Sequence, residues 1–251
     1  MQRDAKNEDF IVGRNAVAEA LRAGREIDTL YVLAGERVPA VRRLVSAARE
    51  SGAVVKEVDR KKLDALSGGA VHQGVAALAA AHSYASLDDI FALARQRGEP
   101  PFVVVCDELE DPHNLGAVLR TAEAAGAHGV VVPKRRSAPL SATVAKTSAG
   151  ALEYIPVARV PNLPAALDTL KANGCWVYGA DMDGTDYKQT DFSGGVALVV
   201  GAEGKGLGRL VREKCDAIVS LPMKGKINSL NASVAAGILL YEISAHRTSE
   251  G

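Results

Sequence analysis

A chain of 251 residues, 47% hydrophobic and 24% charged, can bury one or two ordinary cores, and its 30 basic and 30 acidic side chains cancel. No apolar run approaches the ~20 residues of a membrane span, and the opening Met1-Gln2-Arg3-Asp4 lacks the apolar core of a signal peptide, so neither membrane residence nor export is expected. Zero net charge excludes a bulk polycation, since broad phosphate contact leaves a basic footprint.

Residues 1–82 carry 13 basic and 11 acidic side chains and the remainder 17 and 19, so any nucleic-acid surface must be a local patch. Lys134-Arg135-Arg136, Arg42-Arg43, Arg60-Lys61-Lys62 and Lys224 with Lys226 are the options, and each taken alone reads as a solvated face. Cys106, Cys175 and Cys215 are odd in number and lack metal-type spacing. They read as reduced thiols in a cytoplasmic protein, with no metal site.

In chain order, periodicity predicts helix over 13–23, strand over 29–33, helix over 38–51, strand over 54–58, helix over 60–66 and strand over 74–80. That is a small α/β unit of residues 1–80. Residues 81–101, with Gly98 and the Pro100-Pro101 pair, read as a linker carrying a short helix over 87–97. A second α/β unit, 102–251, opens with the apolar run 102–106, bounded by Pro and Asp as a buried parallel strand should be. Helix is predicted over 114–125, stopped at Gly126. Further strands are predicted over 129–132, 154–157, 175–180, 196–200 and 218–221, and further helices over 141–148, 163–173, 207–214 and 230–246. Alternating strands and helices argue a parallel sheet covered on both faces.

Three loops follow strands of this second unit, where open α/β sheets place ligands. The first is Asp107 to Gly116, with the dipeptide His113-Asn114 inside it. The second is Gly201-Ala202-Glu203-Gly204-Lys205-Gly206-Leu207-Gly208, and the third is Lys226-Ile227-Asn228-Ser229-Leu230-Asn231. The glycines invite a phosphate-cradle reading, but Lys205 is followed by Gly206 rather than Ser or Thr, so the P-loop pattern fails. Starting at Gly204 and Gly206, the third glycine of a dinucleotide fingerprint would fall on Arg209. A tight turn whose amides approach an adenosine-like ligand fits better.

Together the loops resemble the three blocks of the SpoU (TrmH-like) branch of the SPOUT RNA methyltransferases, with matching order and spacing. The blocks are Asn114-Leu115-Gly116-Ala117-Val118-Leu119-Arg120-Thr121-Ala122, the run from Leu198 through Gly201, Glu203 and Gly206 to Leu207, and Ser229-Leu230-Asn231-Ala232-Ser233-Val234-Ala235. Ala70-Val71-His72-Gln73-Gly74 and Asp111-Pro112-His113-Asn114 are similar to the RlmB-type subfamily, which methylates a guanosine 2′-oxygen in 23S rRNA. The resemblance implies an L30e-like RNA-binding domain over 1–80, a C-terminal domain with a deep trefoil knot, and a homodimer formed through that domain. It implies S-adenosylmethionine held at Gly201, Leu221 and Leu230, with Ile218 to Met223 lining the adenine.

The same resemblance makes Asn114, Arg120, Glu203, Ser229 and Asn231 the polar active-site set. On residues alone, Arg120 would point into a polar cleft or pair with Glu123, and Ser229 and Asn231 would serve as helix caps. The implied chemistry is in-line attack of a ribose 2′-oxygen on a sulfonium methyl. A guanidinium keeps its proton, so Arg120 suits stabilisation of the developing alkoxide, with Glu203 or water taking the proton. His113 reads as a helix-start or surface histidine. Rival readings are a tRNA-directed relative, a silent RNA-binding protein of ribosome assembly, and a nucleotide-binding enzyme.

Overall fold

The computed structural model describes residues 10–80, 82–227 and 229–248; residues 1–4, Ala81 and Asn228, which entered the expectations above, lie outside the described residues. The chain divides into two compact units. The first takes in the described residues up to Ser83 with Pro139–Ala142, and the second Tyr84–Ala138 and the residues from Thr143 onward.

The first unit is a four-stranded mixed sheet with three helices. Its elements are β1 (Phe10–Val12), α1 (Arg14–Arg22), β2 (Ile27–Leu33), α2 (Pro39–Glu50), β3 (Val54–Val58), α3 (Arg60–Leu66) and β4 (Val75–Ala79), in sheet order β1-β4-β2-β3. Val17, Leu30, Val41, Ala48, Val75 and Ala77 form its core. The short β1 is absent from the predicted elements because three residues hold too little alternation to read; pairing with β4 creates it. His72 is buried, accepts from the Gly74 amide at Nδ1 (2.9 Å) and lies 2.9 Å from an Asp64 oxygen at Nε2, which holds the turn at Gln73 and Gly74.

In the second unit, the helix expected over 87–97 forms as α4 (Leu87–Arg97) and packs onto the sheet. Ser86 and Asp89 close a capping box, and Ile90, Phe91 and Ala94 are buried, the first two in the core of the sheet. A Cβ on Gly129 would stand 2.5 Å from the Ile90 side chain, so the helix lies directly on the strand that begins at Gly129. The unit's further elements are β5 (Phe102–Cys106), α5 (Pro112–Ala124), β6 (Gly129–Pro133), α6 (Ala142–Thr147), β7 (Val157–Val160) and α7 (Leu163–Ala172). These are followed by β8 (Cys175–Asp186), β9 (Gly195–Val200), α8 (Arg209–Lys214), β10 (Ala217–Ser220) and α9 (Ala232–Thr248).

The six strands run parallel in the order β10-β8-β9-β5-β6-β7, so every strand ends on one edge. Two predicted strands move. The strand predicted over 154–157 begins instead at Val157, because Pro156 has no N–H to give the ladder and Tyr154 ends a single 3-10 turn, 76% exposed. The strand predicted over 175–180 continues to Asp186 through polar residues that carry no apolar pattern.

Cys106 and Cys175 are buried, and burial pushes both thiols up to about 12, which removes them as nucleophiles at neutral pH. At the opposite edge of the sheet His128 is fully buried, and its Nδ1 accepts from the Phe102 amide (2.9 Å). Its Nε2 lies 3.2 Å from a Glu99 oxygen without forming a hydrogen bond. Burial lowers its pKa to about 4. The folded pKa lies below the unfolded value of about 6.5, so unfolding takes up a proton in this window. Stability should therefore fall as pH drops from about 6.5 towards 4, and His128→Gln should flatten that part of a melting-temperature profile.

Candidate active site

The loops after β5, β9 and β10 meet at the strand ends, although their residues are far apart in the chain. Asn231 Nδ2 donates to Asn114 Oδ1 at 2.9 Å across 117 residues, and to Glu203 Oε2 at 3.3 Å. Asn114 sits in the first turn of α5, which Asp111 caps by accepting from the His113 amide (2.8 Å). Gly116 is required there, since a Cβ would meet Thr147 Oγ1 at 1.9 Å. Asn231 also caps α9: its Oδ1 accepts from the Ser233 amide (3.0 Å), the Ser233 hydroxyl (2.6 Å) and the Val234 amide (3.4 Å). One side chain thus ends a helix with its oxygen and ties two loops together with its nitrogen.

These functions can be separated. Asn231→Asp keeps the capping acceptors and removes both donors, so the melting temperature should hold within a few degrees. Any activity of the site should fall about tenfold or more, because Glu203 and Asn114 are then no longer tied to one another.

Beside this group lies a cleft of about 290 Å³. Val200, Val219, Leu221, Leu230 and Leu239 give it apolar walls, the backbone of 201–206 forms one side, and Asp181 and Glu203 put carboxylates in it. Of the predicted residues, Gly201, Leu221, Met223, Leu230, Ser229 and Glu203 line the cleft. Gly201 closes the turn, since a Cβ there would stand 2.2 Å from the Gly206 carbonyl oxygen. Ser229 is exposed and makes no capping hydrogen bond among the described residues, whereas Asn231 does.

Two expectations are corrected. Ile218 is absent from the lining: its Cδ1 packs towards Gly179 with Leu207 and Cys215, while its neighbour Val219 faces the cleft, as alternation along a strand demands. Arg120 neither enters the cleft nor pairs with Glu123 among the described residues; it stands exposed on α5. His113 is exposed in the first turn of α5, as expected.

Two acids escaped the sequence reading. Asp107 is buried at the end of β5 and accepts from the Gly208 amide (2.7 Å), anchoring the far end of the glycine turn. Burial raises its carboxyl above the usual range, and the Gly208 amide opposes this. Asp181 lies where β8 leaves its register with β10: Ile218 faces Gly179, but Val219 faces Thr185, so residues 180–184 bow out past a single peptide. Arg212 of α8 fixes the bow, donating to Asp181 Oδ2 (2.6 Å) and to both oxygens of Asp183 (2.8 and 2.9 Å). The only signal for either was an acid closing an apolar strand. Among the described residues no group of three or more His, Cys, Asp and Glu could hold a metal, and no helix is long and apolar enough to cross a membrane.

A parallel sheet with polar loops gathered over one cleft at its strand ends defines an α/β domain built to hold a small ligand against a reacting group. Comparison with known proteins places it further. Residues 101–241 match the SpoU rRNA methylase family, and residues 10–85 match the substrate-binding domain described for RNA 2′-O ribose methyltransferases. The chain belongs to the SpoU rRNA methylase family.

Similar chains include the putative TrmH family tRNA/rRNA methyltransferase YacO of Bacillus subtilis, 48% identical over 98% of this chain and 99% of that one. A putative TrmH family methyltransferase of Staphylococcus haemolyticus is 46% identical over 96% and 97%. Among solved structures, the SpoU methyltransferase AviRb from Streptomyces viridochromogenes, in complex with AdoMet, has a TM-score of 0.61 at 28% identity, covering 96% of this chain and 90% of its own. An AdoMet-bound rRNA methyltransferase from Sinorhizobium meliloti has a TM-score of 0.59 at 29% identity, covering 97% and 89%.

Proposed function

We propose that this protein transfers a methyl group from S-adenosylmethionine to the 2′-oxygen of a guanosine in 23S rRNA, in the cytoplasm, as an RlmB-like enzyme. The carrying observation is the joining of Asn114, Glu203 and Asn231 into one hydrogen-bonded group on the rim of an apolar, acid-containing cleft. The donor set suits the cofactor: aliphatic walls suit a neutral purine, the turn's backbone supplies hydrogen bonds, and Asp181 and Glu203 suit a cationic sulfonium nucleoside.

When bound, adenosylmethionine supplies a methyl group already activated for transfer. This chain's residues do the rest. Asn231 holds Glu203 and Asn114 in register, so that a ribose seated on the rim meets a fixed carboxylate and a fixed amide. Glu203 is the group placed to accept the hydroxyl proton. Arg120, exposed and without an acid partner among the described residues, is free to meet RNA phosphate and stabilise negative charge developing on the oxygen.

The homodimer belongs to the same reading. Ala236, Leu239, Leu240 and Ile243 of α9 are buried, while Val234, Ile238 and Tyr241 form an apolar stripe on its other face, 51, 40 and 57% exposed. A monomer in sedimentation at micromolar concentration would count against it. A trefoil knot in the C-terminal unit is part of the same proposal.

The deciding experiment is mass mapping of ribose-methylated nucleotides in rRNA and tRNA from cells lacking the protein. One 23S guanosine should lose its 2′-O-methyl and regain it when the gene is restored. Loss confined to tRNA would move the substrate there. Calorimetry that showed tight ATP binding and no adenosylmethionine binding, with or without RNA, would end the reading.

A further inference from the structure

The methyl-transfer reading accounts for the ends of β5, β8, β9 and β10 but leaves the ends of β6 and β7 without a task. Those two strands finish on the same edge of the sheet, and their ends concentrate charge. Between Val130 and Val160 the chain carries Lys134, Arg135, Arg136, Lys146 and Arg159 against the single acid Glu153, within a molecule whose total charge is zero.

The fold brings three of these cations together. The Lys134 amide donates to the Val160 carbonyl (2.8 Å), which seats Lys134 beside the end of β7, and Arg159 faces Val132 in the neighbouring register position. The Arg159 guanidinium lies 4.0 Å over the centre of the Tyr84 ring, and Ala85 runs beside β7 to keep that ring in place. Stacking fixes the plane of the guanidinium.

Arg136 differs from its neighbours. It pairs with Glu108 (2.5 Å), and both residues adopt left-handed backbone, φ 57° each, so this pair is a loop clasp and its charge is spent. Lys134 and Arg135 have no carboxylate partner among the described residues. Partial burial depresses the Lys134 pKa first, and the nearby positive charges of Arg159 and Arg135 add to it. Such crowding costs free energy in the isolated protein and is relieved by a polyanion.

We propose that Lys134, Arg135 and Arg159 form a phosphate-binding rail for the substrate RNA, continuing the active-site edge past β5 to β6 and β7. This rests on the methyl-transfer reading for the identity of the polyanion and extends it by assigning the track the strand follows. In the order β9-β5-β6-β7 the rail lies two to three strands from the Glu203 loop, roughly 10 to 15 Å at about 4.8 Å per strand. At roughly 3.4 Å per stacked nucleotide it meets phosphates about three or four nucleotides from the target ribose, on one side of it.

The test measures binding of unmodified 23S rRNA fragments and of bulk tRNA across a potassium chloride series, for wild type and Lys134→Ala/Arg135→Ala. Arg136 is left intact so that the Glu108 clasp survives. Each phosphate that a side chain neutralises adds about 0.7 to 0.9 to the steepness of the log–log salt dependence. The double variant should therefore be shallower by about 1.4 to 1.8 on whichever RNA the wild type binds. Its RNA Kd at low salt should rise about tenfold or more, with adenosylmethionine affinity within twofold of wild type. Arg159→Lys keeps the charge and removes the stacked plane, and should weaken RNA binding with the slope nearly unchanged. Arg97→Ala, at the opposite edge of the sheet, should change neither quantity.

An unchanged slope in the double variant, with wild-type RNA binding intact, would overturn the rail and leave the methyl-transfer reading standing. Failure of wild type itself to bind either RNA would overturn both. The double variant removes exposed or half-exposed charge, and its melting temperature should not fall; a fall of more than a few degrees would show these residues to be structural and would equally overturn the rail.

Discussion

Arg120→Ala should lower methyl transfer by a hundredfold or more while leaving adenosylmethionine affinity and the melting temperature nearly unchanged. Arg120 is exposed, lies outside the cleft lining and has no acid partner among the described residues, so its removal opens no cavity and strands no charge. On the proposed reading it supplies positive charge to the oxygen through the bound RNA, and the loss of one such preorganised group costs about 2.7 kcal/mol or more. Arg120→Lys should rescue poorly, because an ammonium cannot reproduce the guanidinium's two parallel donors. Single-turnover rates with saturating cofactor, set beside calorimetric cofactor affinity, make the separation. A stable Arg120→Ala protein with near-normal turnover would remove Arg120 from the reaction.

Gly201→Ala should act on the other side of that division, by destroying the cleft proposed to hold the cofactor. The added Cβ would stand 2.2 Å from the Gly206 carbonyl oxygen and 2.8 Å from the Leu207 nitrogen, so backbone rather than a flexible side chain must give way. The turn cannot open freely, because the Asp107 carboxylate holds Gly208 and Arg212 holds Asp181 beneath it. Adenosylmethionine affinity should therefore fall more than tenfold, a loss above about 1.4 kcal/mol. The circular dichroism spectrum should stay close to wild type, since the clash is confined to a surface turn. Cofactor affinity within twofold of wild type would show that the turn is not the binding wall.

The parts of this molecule that could be read before folding share one property: their signal is local. Phe102 to Cys106 is apolar without interruption because both faces of a central parallel strand are covered, and the helices from Leu87 and Leu163 repeat their apolar residues every third or fourth position. The loops holding Gly201, Glu203 and Asn231 stood out as glycine-rich or polar turns after strands, and the family resemblance singled out those residues within them. The misreadings came where locality fails. Residues 181–186 do not look like a strand, yet Thr185 and Asp186 take ladder positions beside Val219 and Ser220 of β10. Ile218 and Val219 are equally apolar, and only the sheet's orientation decides which of them meets the cleft and which the core.

The sequence by itself determined the alternation of strands and helices, the three polar loops and their order, and the failure of the phosphate-cradle motifs, because each depends on neighbours within a dozen residues. Tertiary structure alone decided that Asn231 bridges Asn114 and Glu203, that Asp107 and Arg212 brace the glycine turn, that α4 belongs to the second core, and that Lys134 and Arg159 meet at neighbouring strand ends. Each of these joins residues brought together by a parallel sheet, whose crossovers place distant strand ends side by side, and no pattern along the chain encodes which ends will be neighbours.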